Sequence, residues 1–216
     1  MKRILVFMLS IIVIFFIGFN FFNLVYGSTS SEQKNISNKI IRFHVLANSD
    51  SIEDQSLKLK VKDEIIKYMM PKLDKSNSID ESRKILKEND KEIKKIAENI
   101  INKNGYKYSV NTYLGQEQFP IKTYGNITLP QGQYEAYKII IGNGQGQNWW
   151  CVMFPPLCFV DVTKGEVSTK ETEQKMKKVL KEEELRSINN SKNSYEIKFK
   201  VVEEINKIKK IKKTLY

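Results

Sequence analysis

The apolar residues of this chain change their spacing once, near Gly105, and that change limits the folds open to it. Before it, Leu57, Val61, Ile65 and Met69 recur at helical spacing, followed by Ile93, Ile96, Ile100 and Ile101. After it, Tyr106, Tyr108 and Val110 alternate with polar residues, residues 134–141 form an apolar run, and Tyr195, Ile197, Phe199 and Val201 alternate again. One strand precedes the helices: in IIRFHVLA, residues 40–47, Ile41, Phe43, Val45 and Ala47 share a face. The pattern predicts an α+β fold, with first-half helices packed on a mostly antiparallel sheet from the second half plus strand 40–47.

Punctuation supports these elements. Ser51 with Asp54, or Asp50 with Glu53, caps the first helix, and Pro71 is expected to stop it. Ser78 with Glu81 opens a second helical region that runs to about Asn104, with a break expected near Asn89-Asp90 and Gly105 as its C-terminal cap. Leu129-Pro130-Gln131-Gly132 reads as a turn, and residues 170–187 as helical. A single domain is expected over residues 40–216, with only generic signals after about 162, and residues 28–39 as a flexible lead.

Met1-Lys2-Arg3 precedes a stretch, Ile4 to Tyr26, without charge. Residues 1–27 read equally as a cleaved signal or a retained membrane anchor. Both readings put the rest of the chain outside the cytoplasm, because the positive end stays inside. The formal net charge of +11 comes from 32 Lys and four Arg. That bias speaks against nucleic acid, which favours the planar Arg fork, and for a solvated basic surface able to meet anionic membrane.

The stretch GQGQNWWCVMFPPLCFVD, Gly144 to Asp161, holds the only two tryptophans and the only two cysteines. A metal site is not expected, because C-x6-C around two prolines is not a zinc spacing and His44 is the single histidine. In an exported domain, a single Cys151–Cys158 disulfide across a hairpin of residues 149–153 and 157–161 is the natural reading, with a reduced pair left open. Adjacent Trp149 and Trp150 point to opposite faces of a strand, which leaves burial on both faces or an interaction surface. The G-N-G-Q-G run lacks the features of a phosphate loop and reads as a mobile turn.

His44 shares a strand face with Arg42, opposite the apolar set, and is expected as a contact residue or a general base beside Asp50 or Asp54. The bland alternative is that Asn48, Asp50, Ser51 and Asp54 only cap the helix. No G-x-S-x-G elbow or paired catalytic carboxylates stand out, and no cofactor is implied.

IRFHVLANSDSIEDQSLKLKVKD (Ile41–Asp63) and NWWCVMFPPLCFVD (Asn148–Asp161) together resemble the stage II sporulation protein R family of endospore-forming bacteria. Phe119-Pro120, Lys122, Tyr124-Gly125, Leu129-Pro130 and Gly132-Gln133-Tyr134 fit the same pattern. The resemblance implies a signalling protein rather than an enzyme, exported into the space between forespore and mother cell. There it is expected to trigger a membrane-embedded aspartic protease that cleaves a sigma factor precursor. Candidate contacts are His44, Asn48, Asp50, Asp54 and Gln55 in one patch, and Trp149, Trp150, Pro155 and Pro156 in another. The competing reading is a secreted hydrolase using His44 with a nearby carboxylate.

Overall fold

The computed structural model describes Met8, residues 31–158 and residues 169–190. The expectations for the charge-free N-terminal segment and for a strand over 195–201 fall outside those residues. In chain order the elements are α1 (Ser31–Ser37), β1 (Ile41–Leu46), α2 (Ile52–Leu73), α3 (Ile79–Lys103), β2 (Val110–Phe119), β3 (Lys122–Tyr124), β4 (Ile127–Leu129), β5 (Gly132–Ile141), β6 (Asn148–Phe154), α4 (Thr169–Lys177) and α5 (Glu182–Ile188). The fold is α+β, as the period change predicts.

The four-stranded sheet has the order β2-β5-β1-β6. β1 runs parallel to β5 and antiparallel to β6, and β2 runs antiparallel to β5. β3 and β4 form a separate two-stranded piece. Strand β1 is therefore central, although it comes first in the chain.

The helices start where their caps predict. Ser51 Oγ accepts from the Asp54 N–H (3.2 Å), and Ser78 Oγ accepts from the Glu81 N–H (3.1 Å). Helix α2 passes Pro71 and ends at Leu73, two residues later than expected. Proline there forfeits one hydrogen bond to a preceding carbonyl, and Leu73 is buried in the core, which holds the last half-turn in place. Helix α3 runs through Asn89-Asp90 without a break: Asn89 Nδ2 donates to the Ile85 carbonyl (2.8 Å), and Asp90 accepts from Tyr137 Oη (2.7 Å).

Both faces of the sheet are covered. One face packs Phe43, Val45, Tyr137, Ile139 and Met153 against Leu57, Val61, Ile65, Ile93 and Ala97 of α2 and α3. The opposite face packs Phe119, Tyr134, Ala136 and Val152 against Ile36 of α1, the β3–β4 piece, and Met176, Leu185 and Ile188 of α4 and α5. Residues 31–37, within the segment read as a flexible lead, are helical, and Ile36 is buried. The 170–187 region divides into two short helices.

That second layer encloses Arg42, whose side chain is fully buried. Its guanidinium lies 4.2 Å from the Phe119 ring centroid and 4.7 Å from that of Tyr134, and Nη2 donates to Tyr124 Oη (3.1 Å). It forms no ion pair among the described residues, so aromatic faces and one phenol replace a carboxylate. Arg42→Met keeps the volume while removing a costly buried charge and is expected to stay within about 1 kcal/mol of wild type. Arg42→Ala empties the space between three rings and is expected to cost about 3 kcal/mol. Urea midpoints of the two variants check the contrast.

Candidate functional site

The two distinctive stretches of the sequence meet at one end of the sheet. The β1–β6 ladder pairs His44 with Trp150, Val45 with Trp149 and Leu46 with Asn148. Beyond β1, residues 47–50 run beneath the loop that joins β5 to β6. The Gly146 N–H donates to the Ala47 carbonyl (3.0 Å) and the Gln145 N–H to the Asn48 carbonyl (3.2 Å). Asn48 Oδ1 accepts from the Asn143 N–H (3.0 Å), and Asp50 Oδ1 accepts from the Gln147 N–H (2.6 Å).

The glycines of this loop answer to close approach. A Cβ at Gly146 would stand 2.1 Å from the Ser49 carbonyl oxygen, and one at Gly142 would stand 2.3 Å from Asn48 Oδ1. The run expected as a mobile turn is instead tied to residues 47–50 along its length. Composition indicated the turn and carried no sign of its partner, which lies some hundred residues earlier.

Asp54 is the centre of the network. Its buried carboxylate accepts from Asn48 Nδ2 (2.8 Å) and Ser49 Oγ (2.6 Å) at the N-terminus of α2. Burial raises its pKa, but hydrogen bonds from Ser49, Asn48 and Tyr108 outweigh that and hold it below the usual carboxylate range. Gln55 Nε2 donates to the Ser49 carbonyl (2.9 Å), while Lys58 Nζ donates to Gln55 Oε1 (2.5 Å) and to the Gln147 carbonyl (2.8 Å). Lys58 and Asn148 also belong to the constellation, although neither is among the contact residues that the sequence suggests. Asn148 directly precedes the tryptophan pair within the distinctive stretch. Lys58 had no signal, since one more lysine in a lysine-rich helix looks solvated.

His44 is not a free contact residue. It is only 3% exposed, which corrects the expectation from its strand face. Its face reads as polar in the sequence because Phe119 and Trp150, which cover the ring, are distant along the chain. The imidazole stacks on Trp150 (4.9 Å between centroids, 2° between planes) and meets Phe119 edge-on (5.2 Å). Burial lowers its pKa to about 4, offset in part by the hydrogen bond with Asn148. With the proton on Nδ1, 3.2 Å from Asn148 Oδ1, the Nε2 lone pair is left buried without a partner. Asp50 and Asp54, the carboxylates closest in sequence, are engaged by Gln147, Asn48 and Ser49, whereas the ring's side-chain hydrogen bond goes to Asn148.

The tryptophans part to opposite faces, as alternation requires, and each is half-buried against a different layer. Trp149 packs edge-on to Phe43 (5.8 Å) beneath the Lys62 ammonium, which lies 4.8 Å from its ring centroid. Trp150 covers His44 and Phe119.

Cys151 and Cys158 form a disulfide, with Cα atoms 5.6 Å apart. It closes a tight loop rather than a cross-strand hairpin: β6 ends at Phe154, and the Leu157 and Cys158 N–H groups both point back to the Val152 carbonyl (3.1 and 3.2 Å). The second arm of the expected hairpin, after Cys158, lies outside the described residues. Pro155 and Pro156 are buried at the far end of β6, where they wall a cleft with Phe154, Asp74, Lys175 and Val179. The structure thus unites His44, Asn48, Asp50, Asp54, Gln55 and Trp150, sets Trp149 on the reverse face, and leaves the proline pair apart. Among the described residues no three His, Cys, Asp or Glu side chains converge as metal ligands, and no helix is long and apolar enough to cross a membrane.

The family model for stage II sporulation protein R (spore_II_R) matches residues 37–164, which contain both stretches. Stage II sporulation protein R of Bacillus subtilis (strain 168) is 44% identical over 140 residues, covering 65% of this chain and 62% of that protein. The chain thus matches less than two thirds of that relative's length. No solved structure matches.

Proposed function

The chain belongs to the stage II sporulation protein R family, and on that premise we propose that it is an exported signal that activates a membrane-embedded aspartic protease. The protein acts in the space between forespore and mother cell, and its action leads to cleavage of a mother-cell sigma factor precursor. It works by binding, so it must favour the active state of the protease over the inactive one. The observation that carries this reading is the junction of the two distinctive stretches. Hydrogen bonds join residues 48–54 to residues 143–147, and the one between His44 and Asn148 fixes the buried ring on which a half-exposed Trp150 stacks, which is how a rigid aromatic anchor is built.

Trp150→Ala tests it. Truncating an interface tryptophan typically costs 2 kcal/mol or more, so activation is expected to fall roughly thirtyfold at limiting protein. The measurement is the ratio of precursor to processed sigma factor on a blot, with export and the urea midpoint followed in parallel. Full processing by a folded, exported Trp150→Ala chain removes Trp150 from the contact. Normal processing after deletion of the gene sinks the activator reading itself.

A further inference from the structure

Strands β2 and β6 are the two edges of the four-stranded sheet, and their free sides differ. Native edges are blunted by polar or charged side chains, by proline or by a covering loop, because bare backbone groups accept foreign strands. β2 carries exposed Asn111, Gln116 and Gln118, with Glu117 paired to Lys138. β6, Asn-Trp-Trp-Cys-Val-Met-Phe, carries no charge. Only its second half is covered. There the Val152 carbonyl accepts from the Leu157 and Cys158 N–H groups (3.1 and 3.2 Å), so the disulfide-closed loop lies along the edge.

That carbonyl also fixes which groups face outward. Backbone direction alternates along an antiparallel strand: Val152 points away from β1, and so do Trp150 and Asn148, while Trp149 and Cys151 bond to β1. Among the described residues, no hydrogen bond reaches the N–H or C=O of Asn148 or Trp150 on the outer side. Both residues are half-exposed, so the row is open.

Such a row is matched by an extended backbone about 4.8 Å away, and not by a helix, whose own N–H and C=O groups are already paired. The indoles constrain the side chains of that backbone. Trp149 flanks an added strand on one face and Trp150 on the other, each within cross-strand reach, which suits an occupant apolar on both faces. A second copy fits poorly. Antiparallel pairing of two β6 strands about Trp150 sets Asn148 against Val152, and drives the β5–β6 loop of each copy into the 155–158 loop of the other.

We propose that Asn148–Trp150 is an acceptor edge for one short, extended, apolar segment of the partner protein, which joins the sheet beside β6. That the partner is the protease rests on the reading given above; the open edge does not.

Amide exchange of the full chain, alone and with the detergent-solubilised protease, tests the assignment. In the dilute free chain the Asn148 and Trp150 amides are expected to exchange roughly tenfold faster than those of Trp149 and Cys151. In the complex they are expected to slow by roughly tenfold or more. Trp150→Pro adds a functional arm, since it deletes an outward N–H and leaves the ladder to β1 intact. It is expected to need roughly tenfold more chain than Trp150→Ala for equal cleavage of the sigma precursor, because both variants lack the indole and only one lacks the donor. Equal potency of the two folded variants overturns the assignment; if the proline variant does not fold, exchange on the unaltered chain decides. Slow exchange at both amides in the dilute free chain overturns it, the edge then being covered by the chain itself. Protection that grows with chain concentration in the absence of protease overturns it in favour of self-pairing. A complex that forms and triggers cleavage while both amides exchange as before overturns the acceptor edge and leaves the activator reading standing. An unaltered chain that neither binds the protease nor triggers cleavage removes the activator reading, and this assignment with it.

Discussion

Asp54→Ala is expected to lower the unfolding free energy by about 3 kcal/mol, because it strips the acceptor from a buried, charge-assisted cluster. Asn48 Nδ2 and Ser49 Oγ lose their shared partner, and the first turn of α2 keeps only one of its two carboxylates, Glu53. The effect should reach further than stability. Asn48 positions the Asn143 N–H through its other amide atom, so the β5–β6 loop is held through Asp54 at one remove. Urea unfolding measures the first effect. Amide exchange at Asn143, Gln145 and Gly146 measures the second, and protection unchanged from wild type there would falsify the linkage. Asp54→Asn should show an intermediate loss, since an amide oxygen accepts but carries no charge.

The second large effect is acid sensitivity above the carboxylate range. His44 is buried with its pKa lowered to about 4, against 6.5 when exposed. Below pH 6.5 the unfolded chain takes up a proton that the native ring refuses, so stability falls as the pH drops. The loss grows down to about pH 4 and then levels off, amounting to about 3 kcal/mol at 1.36 kcal/mol per pKa unit. Asp54 has the same sense in a lower window: its depressed pKa contributes stability above the ordinary carboxylate value that is lost only as pH falls through its native one. Between pH 6.5 and 4.5 the slope therefore belongs to the single histidine. Urea midpoints of wild type across that range should drift down, and those of His44→Gln should stay flat. A flat wild-type profile would mean that the native ring is protonated freely and the Trp150 stack is open.

What the residues disclosed follows the range over which each signal acts. Ser51, Ser78 and Gly105 mark helix ends through bonds to their own neighbours, and the strand alternations need only a local face. Those signals were legible. Of the second layer only the helical stretch 170–187 was legible: α1 is seven residues long, and β3 and β4 are three each. None of these is long enough to show a period. Those short pieces hid the cover over Arg42, which meets Tyr124 of β3, while His44 lies beneath Phe119 and Trp150 from distant strands. The candidate patch fared unevenly for the same reason. Asn48, Asp50, Asp54 and Gln55 belong together because they are local to one helix start. Their union with residues 143–148 is a contact across the chain that no spacing announces, and the distance of Pro155 and Pro156 from them follows from the length of β6.

The placement of β1 at the centre of the sheet sets an order of events whenever the chain emerges N-terminus first. Arg42 pairs with Ala136 on one side and Val152 on the other, so β1 has no strand partner until most of the domain has appeared. Helices α2 and α3 lie entirely between and can form early from local contacts, but the apolar face they share has nothing to close on. A chain arranged in this way stays threadable through a narrow passage for most of its length and folds late, with the slow closure expected of distant strand pairing. The β5–β6 loop ties down residues 47–50 and β6 completes the sheet, so the surface that carries Trp150 comes into being only after both distinctive stretches have emerged.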